Sequence, residues 1–205
     1  RIVSYTIGYI DDDIDMLSDY IKRLSRRDIE LKIAPEGDME HIKQWIVKER
    51  IECMMIDYQL GGKYSFVGTE LFSYLNDELP GLPCMILTSY TDSSVNENKV
   101  VRNCIFDRSN MDKAGEAFEQ FCDIIKQSTE VFKNNIAKYK MNYKRLYQKK
   151  VDGSITSAEE EELLTVFRIL RAYGEVDDIS SELLTTRIST TLDVVLEKLD
   201  ELLKK

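Results

Sequence analysis

Histidine is all but missing from this chain: its 205 residues include one, His41. A single imidazole cannot build a histidine metal cluster, and His41, between Glu40 and Lys43 on a polar stretch, reads as a surface residue. Cysteine is scarce too. The four present, Cys53, Cys84, Cys104 and Cys122, lie in apolar runs and form no CxxC pair. Small, reduced, buried thiols are the favoured reading, ahead of disulfide or metal chemistry. No apolar run reaches the roughly 18 residues of a membrane span, and Arg1 to Asp13 lacks the basic start and apolar core of a signal peptide. The expectation is a soluble, cytoplasmic protein with no membrane partner. A basic excess is also absent, since 28 Lys and Arg against 37 Asp and Glu leave a net charge of -9. That balance disfavours nucleic acid as the main partner and favours protein. No fixed-period repeat and no low-complexity tract is present.

What is there is enough apolar material, 43% of residues, to fill the core of one large domain or two small ones. Through residue 127, short apolar runs alternate with helical patterns, the signature of an α/β parallel sheet flanked by helices. The strand candidates are Tyr5 to Ile10, Ile29 to Ala34, Ile51 to Ile56, Cys84 to Leu87 and Asn103 to Phe106. Helices are expected near Ile14 to Arg26, Asp38 to Lys48, Gly68 to Glu78, Ser93 to Val101 and Asp112 to Gln127. Beyond Ser128 only helical patterns remain: one over "TEVFKNNIAKYKMNYKRLYQKK", one opened by a Ser157/Glu160 capping box and stopped at Gly174, and one beginning near Ser180 or Ser181. Charge shifts at the same place. Residues 1–127 hold 15 basic and 23 acidic side chains, and 128–205 hold 13 and 14. Two units are expected, 1–127 and an all-α 128–205.

The chemistry concentrates in "YIDDD". Three adjacent carboxylates repel one another, and a cation relieves the repulsion. In a doubly wound sheet, ligands bind beyond the carboxyl ends of the strands, where strand order reverses. Asp11, Asp12 and Asp13 follow the first strand, Asp57 the third and Thr88 with Ser89 the fourth, so all converge on one sheet edge. Oxygen donors in a compact group suit a hard divalent cation, Mg2+ above all. Asp13 reads most simply as a helix-start residue.

This order of residues, together with "SFVGTELFSYL" and "LPGLPCMILTS", resembles the receiver domain of bacterial response regulators over about residues 3 to 127. The resemblance implies a flavodoxin-like, five-stranded parallel sheet of order 2-1-3-4-5 and a signalling protein, not an enzyme. It implies a phosphoryl group carried on Asp57, delivered by a histidine kinase or phosphotransfer protein. Mg2+ would be bound directly by Asp12, through water by Asp11, and by Asp57 and the main-chain carbonyl of Gln59. Thr88 would hydrogen-bond the phosphoryl group. Two positions depart from the family. Its usual lysine after the fifth strand aligns with Arg108, or with Asp107 if the register shifts by one, and its aromatic switch residue falls on aliphatic Ile105. Arginine is not a conservative exchange for lysine there. A degenerate receiver serving as a phosphorylation-independent scaffold is the alternative reading.

The tail resembles no DNA-binding output module. Lys133 to Lys150 carries seven basic residues and no acidic one, with Tyr139, Tyr143 and Tyr147 on one helix face. Nucleic-acid stacking is a weaker alternative there, and helix packing is simpler. Ile188, Leu192, Val195, Leu199 and Leu202 recur at 4, 3, 4, 3 spacing. They form either a seam inside a helical bundle or an exposed seam that pairs with itself or a protein partner.

Overall fold

Five short runs rich in β-branched and sulfur-bearing side chains form the sheet of the computed structural model, which describes residues 4–13, 17–89, 100–112 and 115–176. They are β1 (Tyr5–Ile10), β2 (Ile29–Ile33), β3 (Cys53–Asp57), β4 (Cys84–Thr88) and β5 (Ile105–Asp107). All pairings are parallel and the order is β2-β1-β3-β4-β5, as the resemblance implies. β3 and β4 are buried at every position because both faces are covered. Successive side chains alternate between two cores. Met54, Ile56, Cys84 and Ile86 enter one, while Cys53, Met55, Met85 and Leu87 enter the other.

Helices α2 (Met39–Glu49) and α3 (Gly68–Glu78) close the first core with Ile42, Ile46, Leu71 and Leu75. α1 (Leu17–Ser25) closes the second with Tyr20 and Leu24. A single helical turn, α4 (Ser109–Asp112), follows β5 and leads to α5 (Glu116–Val151), whose Phe118, Phe121 and Ile125 complete the second core.

The sequence suggests one helix ending at Gln127 and another beginning past Ser128. The structure has α5 running unbroken for 36 residues through that point, where the boundary between the two units is expected. Thr129 does not interrupt it, because its buried hydroxyl donates to the Ile125 carbonyl at 2.8 Å, inside the helix. An Asp-Gly turn with Gly153 at φ 68° then reverses the chain into α6 (Ser157–Ala172). The capping box of α6 lies one residue earlier than the Ser157/Glu160 pair expected. Thr156, in extended conformation, accepts from the Glu159 N–H at 3.3 Å, and the Glu159 carboxylate accepts from the Thr156 N–H at 3.1 Å. Both pairs have the right spacing. Lys149 of α5 meets the Glu159 carboxylate as well. Gly174, at φ 64°, follows α6 in the left-handed conformation expected of a stop.

α5 and α6 pack as an antiparallel hairpin, with Tyr143 stacked on Phe167 and Phe132 against Tyr173. The described residues up to Tyr173 form one compact unit. His41 is exposed, and all four cysteines are free thiols, three buried and Cys104 half-buried. No described helix is long and apolar enough to cross a membrane. The helix expected at Ser93 and the seam Ile188, Leu192, Val195, Leu199 and Leu202 lie outside the described residues.

Candidate functional site

Strand order reverses between β1 and β3, so their carboxyl ends open a crevice. Asp11 follows β1, Asp57 ends β3, Thr88 ends β4 and Arg108 follows β5. Asp11 and Asp57 are 6% and 5% exposed, Thr88 is 1% exposed and Asp12 is half-buried. One carboxylate oxygen from each of Asp11, Asp12 and Asp57 lies within 4.8 Å of the others.

Buried carboxylates require partners, and each oxygen of the two buried acids has one. The Tyr9 hydroxyl donates to Asp11 Oδ2. The Asp13 N–H donates to Asp11 Oδ1 at 2.9 Å, and the Gln59 N–H to Asp57 Oδ2 at 3.0 Å. Arg108 joins the two: its Nη2 is 2.5 Å from Asp57 Oδ1 and 3.0 Å from Asp11 Oδ2. The Arg108 N–H also donates to the Thr88 carbonyl at 3.0 Å, which fixes the root of the side chain at the end of β4. Asp107 pairs with Thr88 in the ladder, but its exposed carboxylate accepts from the Ser109 N–H at 2.8 Å. The residue reaching the acids is therefore Arg108.

Burial pushes the Asp57 carboxyl up to about 6, and the charge of Asp11 adds to the effect while Arg108 and the Gln59 N–H oppose it. Burial, then Asp11, also raises the Tyr9 hydroxyl, which keeps it a proton donor. Tyr9 is the residue that the sequence does not announce. Its position in an apolar run suggests only core, yet residues two apart on a strand share a face, and that spacing directs a tyrosine hydroxyl toward Asp11. Gly68 opens α3 because nothing larger fits: a Cβ there would lie 2.0 Å from the Asp57 carbonyl oxygen. Ile105 is half-buried and packs on the first core.

No family model matches the sequence, and no curated protein matches it. Solved structures do match. NtrX from Brucella abortus, in complex with ADP, aligns with a TM-score of 0.50 at 17% identity, covering 65% of this chain and 29% of that one. A CheY-like response regulator receiver domain protein from Methanospirillum hungatei JF-1 gives 0.48 at 19% identity, covering 65% and 99%. The separate receiver domain of Brucella abortus NtrX gives 0.47 at 17%, covering 60% and 98%. The fold is the CheY-like receiver fold. This chain spans less than a third of the full NtrX chain, and at these identities the likeness is one of architecture.

On that fold, three carboxylates in one cluster fit a hard divalent cation. Arg108 contacts two of them. The basic stretch of α5 is largely paired within the chain. Lys133 meets Glu52 at 3.0 Å, Arg145 meets Glu159 and Glu162 at 3.5 and 3.8 Å, Lys149 meets Glu159, and Lys150 meets Glu160 at 3.7 Å. With Tyr143 stacked on Phe167, packing accounts for that stretch better than nucleic acid does.

Proposed function

We propose that this chain is a two-component response regulator that accepts a phosphoryl group on Asp57 and signals through protein contacts of its helical region. The observation supporting this reading is the placement of Asp57 at the buried end of β3, in one cluster with Asp11 and Asp12 and in contact with Arg108. A carboxylate so placed attacks phosphorus in line, forming an acyl phosphate as the bond to the donor, a kinase or phosphotransfer-protein histidine, breaks. Mg2+, held by Asp11, Asp12, Asp57 and the Gln59 carbonyl, would supply neutralisation of the charge spread over the phosphoryl oxygens. Thr88 and Arg108 would hold those oxygens. Residues 1–127 would form the receiver, and 128–205 the output, acting on a partner or on a second copy through Ile188, Leu192, Val195, Leu199 and Leu202.

Incubation with acetyl phosphate and Mg2+ is the test, read by intact mass. One phosphoryl group should add to the wild type and none to Asp57→Asn. The second reading, a scaffold that never carries phosphate, is favoured by Arg108 and Ile105 standing where the family has lysine and an aromatic. Wild type that gains no phosphoryl group at any Mg2+ concentration would favour it.

A further inference from the structure

We infer that Arg108 is the resident counter-cation of the acidic cluster, and that a divalent cation enters only in exchange for it. The inference rests on reading Asp11, Asp12 and Asp57 as a cation site. It adds that this chain carries its own competitor for that site.

The geometry supports this oxygen by oxygen. Asp57 offers Oδ1 to Arg108 and Oδ2 to the Gln59 N–H. Asp11 offers Oδ2 to both Tyr9 and Arg108, and Oδ1 to the Asp13 N–H. No oxygen on the two buried acids is without a donor, and one guanidinium nitrogen serves both acids. A metal ion drawing on Asp11 and Asp57 must take up oxygen atoms that Arg108 now neutralises. If both cations stayed, a guanidinium and a divalent ion would share the same oxygens at contact distance, where like charges repel strongly in a poorly solvated site.

Two further features make an exchange workable. The Arg108 side chain is 22% exposed, against 3% and 7% for those of Asp11 and Asp57, so it borders solvent and can leave while the acids stay. Its Nε is buried without a hydrogen-bond partner among the described residues. Moving outward returns that donor to water. The main-chain bond from Arg108 to Thr88 does not depend on the side chain, so β5 keeps its register through the exchange.

The test is isothermal titration calorimetry of Mg2+ into the full chain, without any phosphoryl donor. Arg108→Met, which keeps the bulk and removes the charge, should bind Mg2+ at least tenfold more tightly than wild type. Arg108→Lys should stay within a few-fold of it. If circular dichroism shows Arg108→Met unfolded, Arg108→Gln is titrated instead with the same expectation. Equal or weaker affinity in the neutral variant overturns the inference, as does the absence of binding in both proteins. Because phosphorylation is not measured, a protein that binds Mg2+ as expected yet never accepts phosphate refutes the proposed function and leaves the exchange intact.

Discussion

A methyl group at Gly68 would sit 2.0 Å from the Asp57 carbonyl oxygen, so the start of α3 and the acid-bearing end of β3 can approach only because that side chain is absent. Gly68→Ala must push them apart. A loss of about 1 to 3 kcal/mol is expected in urea unfolding, with weaker Mg2+ binding because Asp57 moves. Tyr9→Phe poses a different question. It keeps the ring in the core and removes one donor from a buried carboxylate, for an expected cost of about 1 to 3 kcal/mol at pH 7. Unchanged stability would make Tyr9 a filler only. Asp11, Asp12 and Asp57 were legible in the sequence because each follows a short apolar run that, alternating with helical patterns, reads as a buried strand. The choice between Arg108 and Asp107 was not, since a one-residue shift along a strand reverses side-chain direction. The ladder settles it: the Arg108 N–H meets the Thr88 carbonyl, and Asp107 turns to Ser109.

The hairpin of α5 and α6 is held at its turn by the box of Thr156 and Glu159. Thr156→Ala removes one cap and should cost about 1 kcal/mol, measured by chemical denaturation. Glu159 gives the pH dependence. Its hydrogen bonds, to Lys149 first and then to the Thr156 N–H, hold the carboxyl down to about 2 from an ordinary 4.5. A carboxylate whose folded pKa is depressed binds fewer protons folded than unfolded, so its stabilisation is complete above about 4.5 and lost as pH falls toward 2. Protection of the amides in the first turn of α6, taken relative to their intrinsic exchange rates, should fall over that window, and Glu159→Gln should flatten the response. The reversal at Gly153 and the stop at Gly174 could be read from sequence, because glycine there tolerates a positive φ. The continuity of α5 could not. Ser128 and Thr129 look like an ending until tertiary packing supports the helix through buried Thr129 and Phe132.

Taken whole, the sheet and the hairpin share a core. Phe132 is 8% exposed and belongs to the cluster formed with α2 and α3, with Ile136 and Tyr173 packed against it. Phe132→Ala should cost about 3 kcal/mol, and a fragment ending at residue 127 should melt well below one ending at 176. Equal melting temperatures would show that the hairpin adds nothing to the sheet. The base of the hairpin, where Phe132 packs against Tyr173, also meets the segments ahead of two strands. Beside Phe132, Lys133 meets Glu52 just before β3, and from the facing helix the Tyr173 hydroxyl donates to the Pro80 carbonyl ahead of β4. Its turn stands about 29 Å beyond Phe132 at 1.5 Å rise per residue. The hairpin is thus a lever held at its base, where Phe132 and Tyr173 pack together. That base bears on the segments that feed β3 and β4, the two strands that end at Asp57 and Thr88.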